Sequence, residues 1–132
     1  MDISGKYWGT TRQVFFQNNV EMHYLQVMPG GFCSEHSHRA KFNRFVVIRG
    51  RLDVQVWKTG ADAPPDTVTL GPFDECTVRP GIVHKFVNRS NETCELLELY
   101  WTQLDAHDIE RLTVGGVDAP GAGLAERLSS GK

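Results

Sequence analysis

The chain has 132 residues, of which 14 are basic and 16 acidic, for a formal net charge of -2. That length suits one domain with a real hydrophobic core, and no Lys/Arg cluster is long enough to follow a phosphate backbone, which argues against nucleic acid as a partner. No segment is apolar for long enough to span a bilayer, and the first six residues lack the basic and apolar stretches of a secretory signal, so the expected setting is the cytoplasm, with no membrane partner.

Turn residues punctuate the chain about every ten residues, with β-branched and aromatic runs between them, the spacing of an all-β sandwich or barrel. Val14-Phe15-Phe16 and the run 22–28 flank Gln17-Asn18-Asn19 and read as a hairpin, closed by Pro29-Gly30-Gly31. A strand carrying His36 is expected next. Phe45-Val46-Val47-Ile48 ends at Arg49-Gly50, a glycine turn that predicts a hairpin with the strand 51–56. In that strand Arg51, Asp53 and Gln55 alternate with Leu52, Val54 and Val56, so one face is core.

Residues 58–66 carry Gly60, Pro64 and Pro65 and read as an exposed loop. Further strands are expected at 67–70, 76–79, 82–87 and 95–101. Residues 104–112 have the composition of one short helix with Asp105 as its N-cap, and 122–128 that of a weak helical turn. The composition divides the chain into a single domain, 1–114, and a tail, 115–132, rich in glycine and small residues and expected to be mobile or to pack on a partner subunit. Cys33, Cys76 and Cys94 are odd in number and lack C-x-x-C spacing, which points to reduced, mostly buried thiols.

The chemistry concentrates in His36-Ser37-His38 and in Pro80-Gly81-Ile82-Val83-His84. Residues i and i+2 of an extended strand share a face, so His36 and His38 can serve one site, with His84 as a third imidazole from a distant strand. Such a set suits a divalent transition metal, with iron, zinc, nickel and manganese all open. Asn43 offers a neutral carbonyl oxygen, for substrate or as a weak ligand. Arg39 and Lys41 are candidates to hold a phosphate or carboxylate of the substrate. Glu98 interrupts the apolar run Leu96-Leu97-Glu98-Leu99, where a charge needs a partner; pointing inward, it is the candidate catalytic base or it orients a ligand histidine, and pointing outward it is an ordinary surface residue. His23 and His107 are expected to be ordinary solvated or internally bonded histidines. Tyr24, Phe42, Trp57, Phe73 and Phe86 could line a pocket, although aromatics in small barrels mostly form core.

Gly30-Gly31 before His36-x-His38, Gly50 after it, and Pro80-Gly81-x-x-His84-x-x-x-Asn88 together resemble the two motifs of the cupin superfamily, over roughly residues 20–101. The resemblance implies a jelly-roll (double-stranded β-helix) barrel with the metal inside and the mouth open to substrate; the expected fold is that barrel with a short C-terminal helix. His36, His38 and His84 fall on the family's histidine positions, and Asn43 falls where its glutamate usually sits, a missing carboxylate that an inward-pointing Glu98 could replace. A more particular similarity is to cupins related to type II mannose-6-phosphate isomerases and the C-terminal domain of mannose-1-phosphate guanylyltransferases, carried by Trp8-Gly9, His36-Ser37-His38-Arg39-Ala40, Leu97-Glu98 and Asp108-Ile109-Glu110-Arg111. The chain departs from them by two extra residues after Ala40 and by the missing glutamate.

The resulting expectation is a metal-binding cupin acting on a small molecule, with sugar or sugar-phosphate isomerisation or epimerisation as the leading chemistry. The alternatives are a three-histidine iron dioxygenase and a non-catalytic sugar- or metal-binding module. A homodimer is expected, with the Val14-Phe15-Phe16 run a candidate edge to be covered.

Overall fold

The computed structural model describes residues 3–60, 62–102 and 106–118. Within them run nine strands: β1 (Ile3–Lys6), β2 (Gly9–Gln17), β3 (Val20–Val27), β4 (Lys41–Arg49), β5 (Leu52–Trp57), β6 (Asp66–Leu70), β7 (Glu75–Val78), β8 (Val83–Val87) and β9 (Cys94–Thr102). All pairings are antiparallel, giving a six-stranded sheet ordered β1-β2-β3-β9-β4-β7 and a three-stranded sheet ordered β6-β5-β8. The fold is all-β, as expected, but hydrogen bonding among the described residues leaves two separate sheets, not one continuous ring.

Alternation decides what faces inward. On β5, Leu52, Val54 and Val56 are buried while their neighbours are half-buried, the period-2 pattern read from the sequence. They meet Leu25 and Val27 of β3, Phe45 and Val47 of β4, Cys94 and Leu96 of β9 and Phe86 of β8 in one core. The same alternation on β9 turns Glu98 inward, in phase with Cys94 and Leu96, and leaves it 9% exposed. The thiols of Cys33 and Cys94 are buried and unbridged, and burial pushes them up to about 11 and about 12 respectively.

Three expectations need correction. The β4–β5 hairpin does not form, because β4 is paired on both edges, by β7 and β9, and Gly50 instead carries the chain across to the other sheet. Gly50 has φ +87, and a Cβ there would lie 2.9 Å from the Thr93 carbonyl oxygen, so glycine is required on two counts. No helix occupies 106–112: a turn at 106–107 is followed by irregular chain, with the Ile109 N–H donating to the His107 carbonyl. Ile109 and Leu112 are 60% and 57% exposed, so a helix here has no apolar face to dock, and an isolated helix this short is unstable. Leu104, Asp105 and 122–128 lie outside the described residues. The His36 region is extended chain with isolated bridges, not a regular strand. β1, unexpected from its Ile-Ser-Gly-Lys sequence, pairs with the start of β2.

One buried polar side chain ties the loop after β8 to the core. Asn88, fully buried, donates to the carbonyls of Val27 (3.0 Å) and Glu92 (2.8 Å) and accepts from the amide (3.0 Å) and hydroxyl (2.7 Å) of Ser90. Asn88→Ala strips these carbonyls of a donor in a water-poor setting and is expected to lower stability by about 2 kcal/mol or more, read from urea unfolding. An unchanged midpoint would mean that water replaces the amide without loss.

Candidate metal centre

The two histidine motifs meet through backbone. The chain before β4 runs antiparallel to β8, with Phe32 bridged to Val87 and His36 to His84. His36 and His84 exchange both hydrogen bonds, N–H to carbonyl, at 3.1 and 2.9 Å. A pair bonded in this way holds its side chains on one side of the ladder. Gly81, at φ +85, turns the chain before His84 and donates its N–H to the His38 carbonyl at 2.7 Å. Gly31 sits where a Cβ would meet the Trp8 carbonyl oxygen at 2.8 Å, so the segment lies closer to its neighbours than a side chain permits.

The three imidazoles converge as a result. Their ring centroids are 5.0 Å apart for His36 and His38, 4.5 Å for His36 and His84 and 5.5 Å for His38 and His84, and one nitrogen from each lies within 4.8 Å of the others. His36 Nδ1 contacts the Ser34 carbonyl at 2.8 Å, and His84 Nδ1 the Ile82 carbonyl at 2.9 Å. A carbonyl can only accept, so each Nδ1 carries a proton. Burial pushes His84 down to about 4, so it is neutral at pH 7 and its Nε2 keeps a lone pair, and burial, followed by neighbouring His36 and Lys41, lowers His38.

This donor set fits a transition metal on three observations. His38 Nε2 is buried without a hydrogen-bond partner. Carbonyl partners on Nδ1 are what metal-binding imidazoles usually have. Neutral imidazole is also the ligand form.

Around the triad the sheet supplies polar groups. Asn43, fully buried on β4, has its Oδ1 3.0 Å from His84 Nε2 and donates from Nδ2 to Glu98 Oε2 (3.4 Å) and the Leu99 carbonyl (3.3 Å). Tyr100 donates its hydroxyl to Glu98, and its ring packs edge-on to His38 at 5.2 Å. Burial is the main reason that Glu98 lies above the usual carboxylate range, and burial with the adjacent Glu98 likewise raises Tyr100. The Lys41 ammonium stands 4.6 Å over the Tyr100 ring.

A cavity of about 1300 Å³ opens beside this cluster, with His36, Cys33, Lys41, Glu98 and Tyr100 in its wall. Of the candidate site residues singled out from sequence, His36, Lys41 and Glu98 line it, while His38, His84, Asn43 and the exposed Arg39 are not in its wall. Of Tyr24, Phe42, Trp57, Phe73 and Phe86, Phe86 alone lines the cavity. His23 lines it too, bonded through Nε2 to Glu21 (2.8 Å) and near the Thr11 hydroxyl (3.4 Å). Tyr100 escaped the sequence reading, although it stands two residues after Glu98 on the same strand and therefore on the same face.

The cupin domain family matches residues 23–100. No curated protein matches the sequence. Among solved structures, the cupin domain of Schizosaccharomyces pombe Cnp3 superposes with a TM-score of 0.66 at 13% identity, over 78% of this chain and 69% of that one. KdgF from a Halomonas species gives 0.65 at 14%, over 80% and 89%. A Cupin 2 conserved barrel domain protein from Salinispora arenicola gives 0.62 at 17%, over 80% and 82%. At these identities the likeness is one of fold.

The depressed His84 value sets a pH dependence for the metal-free protein. The unfolded chain binds a proton near 6.5 and the folded one only near 4, so the unfolded state takes up protons first as pH falls. The stability from neutral His84 is complete above pH 6.5 and drains away between 6.5 and about 4. Thermal melts of chelator-treated protein are expected to show this loss, and His84→Gln to flatten it. An equally steep fall in the variant would assign the loss to other groups.

Proposed function

The chain belongs to the cupin family, and from that premise we propose that it is a metal-dependent enzyme acting on a small molecule with two adjacent oxygens, in an isomerase- or epimerase-like proton transfer on a sugar or sugar phosphate. The observation that carries this reading is the convergence of three imidazoles, one with an orphaned Nε2, of which His36 lines a cavity large enough for such a ligand. His36, His38 and His84 would hold a divalent ion of the iron, zinc, nickel or manganese kind. When bound, that ion supplies Lewis acidity, which polarises a carbonyl and acidifies the adjacent C–H.

The remaining work falls to this chain's own side chains. Glu98 lines the cavity and contacts Asn43 beside the triad, and its raised affinity for protons suits it to take one from carbon and return it. The Tyr100 hydroxyl, donating to Glu98, steadies the ionised form present before the first transfer and after the second. Lys41, held over the Tyr100 face, supplies positive charge for an anionic oxygen or phosphate. Arg39 is further out and would meet only the distal end of a long ligand.

Three further assignments belong to this reading. The domain spans 1–114 with 115–132 as a tail, in a cytoplasmic protein that pairs as a homodimer. The dimer is supported by the outer edge of β2, which β1 covers only from Gly9 to Arg12, leaving Val14, Phe15 and Phe16 on an edge unpaired among the described residues, with Phe16 65% exposed. Sedimentation is expected to give a dimer that Phe16→Asp converts to monomer; a monomeric wild type would dismiss the pairing.

The catalytic reading is tested on protein purified without chelators. About one equivalent of transition metal is expected in wild type and none in His84→Ala. Metal-loaded protein in deuterium oxide is then expected to exchange the C–H beside the carbonyl of a hydroxy-ketone or aldose in a panel of sugars and sugar phosphates, at least about 100-fold faster than Glu98→Gln. Tight metal without exchange would sink the isomerase and favour the binding module, for which the absence of a carboxylate at position 43 speaks. Oxygen uptake by an iron-loaded form would favour the dioxygenase.

A further inference from the structure

The contact between His84 and Asn43 is unusual in its polarity. With its Nδ1 proton given to the Ile82 carbonyl, His84 presents a lone pair from Nε2, and what faces it at 3.0 Å is another acceptor, Asn43 Oδ1. Both residues are buried, His84 at 1% and Asn43 at 0% exposure, so water does not separate two lone pairs that repel each other. Turning the amide over does not remove the conflict. Asn43 Nδ2 donates to Glu98 Oε2 and to the Leu99 carbonyl, and a turned amide would aim its oxygen at both. The Leu99 carbonyl has no proton to give in return.

A cation relieves the arrangement as it stands. Two donor atoms each about 2.1 Å from one ion, at right angles, are about 3 Å apart, which is the separation found here. Building on the metal reading above and reaching beyond it, we infer that Asn43 Oδ1 is a fourth ligand beside the three histidines and that Glu98 is the positioning residue that aims it, gripping the amide nitrogen from β9. The carboxylate missing from the first histidine motif is on this account displaced by one hydrogen bond: its charge sits on the neighbouring strand and reaches the centre through a neutral amide.

Cobalt(II) alone tests this, through its dissociation constant in competition with a chelator and its visible absorption, in wild type, Asn43→Leu, Asn43→Asp, Glu98→Gln and the double variant Asn43→Asp/Glu98→Gln. Asn43→Leu is expected to weaken cobalt about 10- to 100-fold and to alter the spectrum, and Glu98→Gln to weaken it about tenfold. In the Asn43→Asp background an anionic ligand needs no aiming, so Glu98→Gln is expected to leave affinity unchanged or improve it. Equal weakening by Glu98→Gln in both backgrounds would overturn the positioning role. An Asn43→Leu protein that keeps the wild-type constant and spectrum would overturn the ligand assignment while sparing the three-histidine site. Wild type that binds no cobalt would overturn that site as well. Should Asn43→Leu fail to fold, as judged by its melt, the Asn43→Asp and Glu98→Gln comparison carries the same decision.

Discussion

Everything at this centre depends on the pair of backbone hydrogen bonds that His36 and His84 exchange. Side chains of a directly bonded antiparallel pair stand beside each other whatever their separation in sequence. The seam is fixed at both ends. Gly30 and Gly31 exchange hydrogen bonds with the Asn88 backbone at one end, and the Gly81 amide closes on the His38 carbonyl at the other. Imidazoles mounted on such a ladder lose little further freedom on meeting an ion, which is what a preorganised site requires.

The rest of the molecule makes that seam affordable in a second sense, by keeping the interior divided. Inward side chains along β9 run Cys94, Leu96, Glu98, Tyr100, from apolar to polar. The neighbouring strands follow the same gradient: Leu25 and Val47 stand opposite Leu96, His23 and Phe45 opposite Glu98, and Glu21 and Asn43 opposite Tyr100. One end of the interior is therefore dry, and its buried aliphatic groups each contribute on the order of 2 kcal/mol through surface removed from water. The other end carries polar groups that cost free energy unless bonded, and Glu21 with His23 and Asn43 Nδ2 with Glu98 are so bonded. His38 Nε2 has no partner, and His84 Nε2 faces the Asn43 acceptor. These unmet atoms mark where the network expects something from outside the chain.

How far this was legible in the sequence follows from the range of each interaction. Alternation in β5 and the Gln17-Asn18-Asn19 turn between β2 and β3 are local, and both were readable. The fate of Gly50 was not, because a glycine with positive φ serves a tight hairpin and a sheet-to-sheet crossing equally well, and only the partners of β4 decide between them. The helix reading of 104–112 rested on composition, which says nothing about whether a core face exists to receive Ile109 and Leu112. At the site, the histidines were legible because two ordered motifs announce them, and Glu98 because a charge stood in an apolar run. Asn43 was legible only as a departure. That its amide lies between His84 and Glu98 depends on three strands meeting, and no spacing in the chain records it.

The departure at Asn43 also bears on what the cavity favours. Three imidazoles and an amide are all neutral, so an ion held by them keeps its full charge toward the open side, where a coordinated carboxylate would have cancelled part of it. The acidic groups nearby are engaged elsewhere, Glu21 with His23 and Glu98 with Asn43 and Tyr100. Lys41 adds a cation against the Tyr100 ring, and Lys6 another on the cavity wall. On the proposed reading, a bound ion would make the potential at such a wall positive and favour ligands whose chelating oxygens carry negative charge, such as a phosphorylated sugar, over neutral ones. Loss of the glutamate would then change the charge of the ligand the site accepts.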